Sequence, residues 1–295
     1  MSKIEKALSR AKEERGGLQL ISPAGVSRSP GTALLPERVA HPETIPRMTA
    51  AERGLLGPRD LSARGFIAKH DVDDPSVQVF RGLRTRIVQE SKGSNCIVLV
   101  AGVSEGSGAT FVARNLGAAF AFDKGKTALI IDCNFRRPTL HGLVAAGSPP
   151  GLTDYLDNPN IDAGKIIHPV GIARLRVIPA GRRVKSDTEH FTSVKMRHVM
   201  SSLRERYAER FIVLDAPPMT DTSDIRVLSE FADHVLLVAR YGRDTRARIE
   251  KCAGAFPSGK LLGLVFNDEP GFPGRHAGNS PENAAEERVP PVSAG

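Results

Sequence analysis

Residues 102–110 of the chain read GVSEGSGAT, and this glycine-rich stretch decides the fold. An apolar run, CIVLVA, precedes it at residues 96–101, and a helical pattern, FVARNLGAAFAF, follows it at residues 111–122. A strand, a glycine loop and a helix in this order are typical of a phosphate-binding P-loop, whose backbone N–H groups bind phosphate oxygens. Such loops normally end in Gly-Lys-Ser/Thr, but Ala109 stands where the lysine is expected. The stretch is therefore either a nucleotide site without its lysine or a glycine turn that binds no phosphate.

Composition excludes several classes of protein. The chain has 295 residues, of which 40% are hydrophobic and 25% charged, as is usual for globular proteins. Three scattered cysteines do not make a disulfide framework or a zinc site, so we expect a reducing, cytoplasmic location. No apolar run approaches the ~20 residues that span a bilayer, and the charged N-terminus is not typical of a signal peptide. The formal net charge of +8 indicates either contact with an anionic partner or simply a basic solvated surface.

Hydrophobic periodicity divides the chain into four parts. Residues 1–16 predict a short amphipathic helix whose narrow apolar face suits a groove on a partner protein; the alternative is an idle, frayed tail. Residues 17–74 are rich in Pro, Gly, Ser and Arg, which predicts a flexible linker. Residues 75–270 alternate strand and helix patterns and form the functional domain, and residues 271–295 predict a disordered tail.

The alternation within residues 75–270 predicts an α/β fold. Its strand candidates are continuous apolar runs separated by helices, which is typical of a mostly parallel sheet with helices on both faces. The predicted strands are Cys96–Ala101, Ala128–Asp132, Leu175–Pro179, Phe211–Asp215, His234–Ala239 and Leu261–Phe266. The predicted helices are Ser76–Glu90, Phe111–Phe122, Glu189–Tyr207, Ile225–Phe231 and Arg246–Ala253.

Three polar residues strengthen the nucleotide-site interpretation. Thr110 supplies, at the start of a helix, the hydroxyl that a P-loop places on Mg²⁺. Asp132 and Asp215 each follow a buried strand, and ligands of open α/β sheets bind where strands end at their carboxyl edge. A single aspartate at a strand end is usually a turn or helix cap, whereas two of them beside a glycine loop are hard to explain by packing.

The order of the motifs resembles that of the bacterial tyrosine kinases (BY-kinases) that partner exopolysaccharide chain-length proteins, within the MinD/ParA-like P-loop ATPases. The resemblance covers about residues 76–268. Its motifs are GSGAT, LIIDCNFRRPTLH, RLRVIPAG, FIVLDAPP and LLGLVFND. The start MSKIEKAL is similar to the cytoplasmic subclass that accompanies exosortase-linked polysaccharide systems.

The resemblance implies a site for ATP and Mg²⁺. Thr110 is expected on Mg²⁺, Asp132 as a Mg²⁺-linked or base-like carboxylate, and Asp215 as a carboxylate that holds Mg²⁺ through water. Asn267 is expected near the adenine, with a turn residue as its alternative. The loop residues expected to hold the phosphates are Gly106, Ser107, Gly108, Ala109 and Thr110.

The resemblance also implies partners. The stretch FRGLRTRI at residues 80–87 is the counterpart of the family's oligomerisation helix, so Arg81 and Arg84 are expected to contact a neighbouring copy in a homo-oligomer, unless they form a solvated helix face. The expected partner is a membrane chain-length or co-polymerase protein that recruits this cytoplasmic protein to the inner membrane. No specific nucleic acid is expected.

Several positions depart from the family pattern. The loop lysine is Ala109, and the lysine that MinD and ParA proteins place five residues earlier is Ser104. The second carboxylate of the Asp-x-Asp motif is Asn134, the glutamate of the oligomerisation motif is Gln78, and no C-terminal tyrosine cluster is present. A charge-assisted hydrogen bond to phosphate contributes roughly 1.5–3 kcal/mol, or about ten- to a hundredfold in affinity, so we expect binding to survive its loss better than catalysis. The substitute cations considered are Arg114, Arg136, Arg137 or an arginine of a neighbour.

Three functions remain open at this point. The first is an ATP-using tyrosine autokinase or ATPase, whose acceptor is another protein or one of the three in-domain tyrosines. The second is a pseudo-kinase scaffold that gates a membrane polysaccharide co-polymerase, which the missing lysine and tyrosine cluster favour. The third is a MinD/ParA-like positioning ATPase, which the loss of both lysines disfavours.

Overall fold

The computed structural model describes residues 55–71, 73–144, 149–183, 188–219, 222–257 and 259–269. The helices are α1 (Pro58–Ala63), α2 (Pro75–Glu90), α3 (Ala109–Ala121), α4 (Leu152–Asp157), α5 (Thr188–Thr192), α6 (Val194–Glu205), α7 (Thr222–Phe231) and α8 (Arg246–Ala253). The strands are β1 (Ile97–Gly102), β2 (Thr127–Asp132), β3 (His168–Pro169), β4 (Leu175–Ile178), β5 (Arg210–Asp215), β6 (His234–Arg240) and β7 (Leu261–Asn267).

The strands form one seven-stranded sheet in the order β3-β4-β2-β5-β1-β6-β7. All neighbouring pairs are parallel except β3 with β4, which confirms the predicted α/β fold. Each of the six predicted strands is present to within one or two residues. The two-residue strand β3 was not predicted, because two residues carry no periodicity. Within the described ranges, the chain has no helix whose length and apolarity would let it cross a membrane.

Alternate residues of each central strand enter two apolar layers, one on each face of the sheet. On one face, α3 lies so close to the sheet that a methyl group on Gly117 would come within 2.7 Å of the Ile130 side chain. On the same face, the rings of Phe120 and Phe211 stack with centroids 4.2 Å apart. Helices α6 and α7 contribute Met200, Leu203 and Leu228 to the layer on the opposite face. Because both faces are covered there, the central strands β1, β2, β5 and β6 are apolar between their end residues.

Residues 55–71, here called the N-terminal strap, pack on α3. Phe66 and Ile67 are buried, and the buried Asn115 side chain of α3 accepts a hydrogen bond from Ile67 N at 2.8 Å and donates one to Gly65 O at 2.8 Å. The structure thus differs from the predicted linker over residues 17–74, whose last part is folded. A short segment held by a distant asparagine has no periodic pattern to reveal it. The helix predicted over 1–16, the linker as far as residue 54 and the tail over 271–295 lie outside the described residues.

Two further elements differ from the predicted pattern. The helix expected over 189–207 is divided, because Ser193 has extended backbone and its hydroxyl caps α6 by accepting a hydrogen bond from Met196 N at 3.1 Å. The short helix α4 was not predicted. It begins at Gly151, where a side chain would overlap the backbone of residues 179–181, so this glycine lets α4 dock on the end of β4.

Candidate nucleotide-binding site

The glycine loop connects β1, in the middle of the sheet, to the N-terminus of α3. Gly106 and Gly108 have left-handed backbone, with φ of 74° and 88°, which side chains other than glycine adopt at a cost. Gly108 is the N-cap residue, and no side chain caps the helix. A methyl group on Gly108 would also overlap the amide of Asn267. The N–H groups of the first turn of α3 are therefore not consumed by a capping side chain, as a phosphate site requires.

Thr110 and Asp215 meet at this loop. Asp215 ends β5, which lies beside β1, and its Oδ1 accepts a hydrogen bond from Thr110 Oγ1 at 3.2 Å. The Asp215 side chain is fully buried, and its Oδ2 has no hydrogen-bond partner among the described residues. Burial, with the nearby charge of Asp132, raises the pKa of Asp215 well above its usual value. An orphaned carboxylate oxygen next to a threonine hydroxyl fits a hydrated Mg²⁺, which takes oxygen ligands and usually few carboxylates.

Asp132 lies directly opposite Asp215 in the sheet, as the two strand-end motifs predict. Its surroundings differ from those of Asp215. Oδ1 of Asp132 accepts a hydrogen bond from Asn134 N, and Oδ2 accepts from the N–H groups of Thr139 and Leu140, all at 3.0 Å. Burial raises the pKa of Asp132, and these three N–H groups partly offset the rise. Both oxygens of Asp132 thus organise the loop that follows β2.

Asn267, the last residue of β7, contacts the glycine loop itself. Its Nδ2 donates a hydrogen bond to Ser107 O at 3.0 Å. It also lines a cleft of about 920 Å³ between α2, the start of α3 and β7, together with Phe111 and Phe266. Phe266 and Val79 are 55% and 62% exposed at this cleft. Asn267 therefore joins the loop to an open apolar surface of a size that could receive a base.

The arginines that the sequence suggested as substitutes for the lysine are all engaged within the chain. Arg114 donates from Nε to Thr110 O and from Nη1 to Arg64 O, each at 3.3 Å. Arg136 lies 3.5 Å from Asp224, and Arg137 forms an ion pair with Glu105 of the glycine loop. These contacts direct the three guanidinium groups to protein oxygens.

Sequence reasoning missed Arg243, which lies in the turn between β6 and α8. A methyl group on Gly106 would be 3.7 Å from Arg243 Nη1, so this guanidinium lies against the glycine loop. The signal in the sequence was its position directly after the carboxyl end of a buried strand, where such sheets place their ligands. The two arginines of α2 contact the domain itself, Arg81 through Lys69 O at 3.4 Å and Arg84 through Ala119 O at 3.3 Å. Their role between subunits stays a prediction.

The fold and the loop define a P-loop α/β protein, and comparison with known proteins specifies the class further. The tyrosine-protein kinase Etk of Escherichia coli is 30% identical over 185 residues, which cover 62% of this chain and 25% of Etk. EpsB of Ralstonia solanacearum is 30% identical over 230 residues, which cover 76% of this chain and 30% of EpsB. The sequence matches no protein-family profile.

Solved structures show the same similarity. The kinase domain of Etk superposes with a TM-score of 0.60 at 27% identity, covering 68% of this chain and 79% of that domain. The chimerical protein CapA2B2 superposes with a TM-score of 0.63 at 25% identity, covering 70% of this chain and 91% of that protein. The chain therefore resembles bacterial tyrosine kinases in sequence and in fold, as the motifs predict. It spans between 25% and 31% of the length of the curated relatives it matches.

Proposed function

We propose that this chain is a P-loop protein of exopolysaccharide biosynthesis that binds ATP with Mg²⁺ and regulates polymerisation or chain length. The observation that carries the proposal is the buried Oδ2 of Asp215, which has no hydrogen-bond partner among the described residues and lies beside the Thr110 hydroxyl. A buried carboxylate in that state is costly unless a ligand completes it. Similarity to bacterial tyrosine kinases supports the nucleotide, and the resemblance of the sequence motifs supports the process.

The described residues suggest how the nucleotide is held. The loop N–H groups and the first turn of α3 would bind the phosphates, and Thr110 and Asp215 would hold Mg²⁺ directly or through water. The base enters the cleft beside Asn267. Mg²⁺ supplies positive charge to the phosphate oxygens and so supplies part of what the missing lysine would contribute.

Calorimetric titration with ATP and Mg²⁺ tests this proposal. The natural chain is expected to bind in the micromolar range, and Asp215→Asn is expected to lose most of the Mg²⁺-dependent affinity. The control is Asp123→Asn, which makes the same change of charge at a carboxylate that follows α3 and accepts a hydrogen bond from Gly125 N. Absence of binding by the natural chain up to millimolar nucleotide would refute the proposal.

Whether phosphoryl transfer follows binding is the second question. Of the three tyrosines of the sequence, Tyr241 is 50% exposed and lies in the same turn as Arg243. If the chain is an autokinase, mass spectrometry after incubation with ATP and Mg²⁺ will find phosphate on Tyr241, and Tyr241→Phe will remove it.

One observation favours the pseudo-kinase scaffold instead. Both carboxylate oxygens of Asp132 accept hydrogen bonds from backbone N–H groups of the loop that follows β2. Asp215 differs, because its Oδ2 has no hydrogen-bond partner among the described residues. A base that activates a tyrosine needs a free oxygen within reach of the hydroxyl. On this alternative, ATP binds and no phosphotyrosine forms.

The process itself is tested in the cell. We propose that a membrane chain-length or co-polymerase protein is the partner, which the N-terminal 16 residues contact, and that the chain assembles into homo-oligomers. Deletion of the gene is expected to change the amount or the length of the exopolysaccharide. A strain whose polysaccharide is unchanged in both respects would contradict the proposed process.

A further inference from the structure

The glycine loop needs a positive charge that its own residues do not provide. Position 109 is alanine, and the acidic Glu105 of the loop is already paired with Arg137. Nucleotide phosphates nevertheless carry several negative charges, and each charged hydrogen bond to them is about twice as strong as a neutral one. A side chain from another element that reaches the loop would meet this need.

Arg243 lies where it can bring a positive charge to the glycine loop. It lies in the turn after β6, which pairs with β1, so the turn and the glycine loop share the carboxyl edge of the sheet. Arg243 Nη1 would be 3.7 Å from a methyl group on Gly106, closer than any described side chain outside residues 105–107. The loop lacks a side chain at this point, so the guanidinium lies over bare backbone.

The backbone of Arg243 is fixed by the turn. Arg240 N donates to Asp244 Oδ2 at 2.7 Å, and Arg243 N donates to Arg240 O at 3.2 Å. Gly242 takes left-handed backbone with φ of 68°, and Thr245 caps α8. The turn therefore positions Arg243 through hydrogen bonds that do not use its side chain.

Among the described residues, the guanidinium of Arg243 has no hydrogen-bond or ion-pair partner. Its neighbours in the chain are paired, Arg240 with Asp268 and Arg246 with Glu250. Within the part of the chain that the structure describes, no carboxylate forms an ion pair with Arg243, whose residue is exposed. A planar guanidinium presents its N–H donors in a rigid fork that matches two phosphate oxygens, whereas the ammonium of a lysine acts as a compact point charge on a flexible stem.

We propose that Arg243 is the phosphate-binding cation of this site and takes the place of the absent loop lysine. The inference rests on the proposed nucleotide binding and names a residue of that site. Arg243 enters the loop from a different element than the lysine of a usual P-loop, so the positive charge sits over Gly106 and not at the first residue of α3.

Calorimetric titration of the full chain with ATP and Mg²⁺ tests the inference. Arg243→Gln is expected to weaken binding about ten- to a hundredfold, the value of one charged hydrogen bond to phosphate. Arg248→Gln, which removes the same charge from an exposed position on α8, is expected to leave the affinity unchanged. Arg243→Lys is expected to fall between Arg243→Gln and the natural chain.

Restoring the loop lysine gives a second, independent readout. If Arg243 replaces the lysine, Ala109→Lys will recover most of the affinity lost in Arg243→Gln and will add less to the natural chain, because the two cations serve the same phosphates. Equal gains in both backgrounds would overturn the inference.

The possible failures are distinguishable. If the natural chain binds and Arg243→Gln binds equally well, the role of Arg243 is refuted and the proposed function stands. If the natural chain does not bind nucleotide, both the proposed function and the role of Arg243 are refuted. Thermal unfolding of each variant without nucleotide checks that an affinity change is not a loss of the fold.

Discussion

Replacing Asp215 by asparagine without any nucleotide tests whether burial keeps a proton on this side chain in the folded state. The carboxyl of Asp215 is buried, one of its oxygens has no hydrogen-bond partner among the described residues, and burial raises its pKa well above the usual value. In the unfolded chain an aspartate titrates with a pKa of about 3.9. Above that pH the folded state therefore keeps a proton that the unfolded state releases, and the free energy of unfolding falls as the pH rises towards the folded pKa.

The pH dependence of the free energy of unfolding can be calculated for the one proton that Asp215 keeps in the folded state. In the pH range between the two pKa values, a single extra proton on the folded state lowers the free energy of unfolding by about 1.4 kcal/mol for each pH unit. For a domain of this size that corresponds to roughly 3–6 °C of Tm for each pH unit. Asp215→Asn removes this slope, so its stability relative to the natural chain should rise with pH.

Urea denaturation between pH 5 and pH 8 measures both slopes. Asp123→Asn, at a carboxylate that follows α3, is the control for the pH slope. Asp132→Asn is compared for stability alone, because the charge of Asp132 contributes to the raised pKa of Asp215. An asparagine there turns an acceptor into a donor that faces backbone N–H groups, and we expect a loss of about 1.5–3 kcal/mol. Parallel pH profiles for the natural chain and Asp215→Asn, or an equal loss in both variants, would refute the reasoning.

Three further predictions concern the loop, the strap and a cysteine. Gly108→Ala is expected to destabilise the domain by at least about 1–2 kcal/mol in urea denaturation, because its φ is 88°, whereas Gly82→Ala in open space on α2 should stabilise it slightly. Asn115→Ala should lower the free energy of unfolding by about 1–3 kcal/mol, because the buried Ile67 N loses its acceptor. Proteolysis within residues 55–71 should also become faster in this variant, and an unchanged cleavage rate would contradict the prediction. Burial raises the pKa of Cys96 to about 12, so a thiol reagent at pH 8 should label it only after unfolding, and rapid labelling of the native protein would contradict that burial.

The sheet could be predicted because each of its buried strands is specified by a short, continuous run of apolar residues in the sequence. A buried parallel strand needs a continuous apolar run, and the six runs from residue 96 to residue 266 satisfied that condition. The meeting of Asp132 with Asp215 followed from the same rule, since both end adjacent strands at one edge of the sheet. The glycine loop and Thr110 are equally local, because they directly follow a strand pattern and open a helix pattern.

What sequence could not give depends on contacts between distant segments. Asp132 and Asp215 look alike as strand-end residues, and only the path of the loop after β2 shows that Asp132 is fully hydrogen-bonded. Arg243 is one of many arginines, and its approach to Gly106 needs the order of β1 and β6 in the sheet. The strap is held by Asn115, which lies 48 residues after Ile67.

The strap has a mechanical consequence. It is attached to α3, through Asn115 and through the hydrogen bond from Arg114 to Arg64 O, and α3 is the helix whose first turn carries Thr110. A pull on the chain from its N-terminal side therefore acts on this helix and on the connection between β3 and β4, where the backbone of Leu56 lies against Gly171. If the site binds nucleotide as proposed, tension on the strap would reach the first turn of α3, and a tightly bound nucleotide would resist the detachment of the strap from this helix.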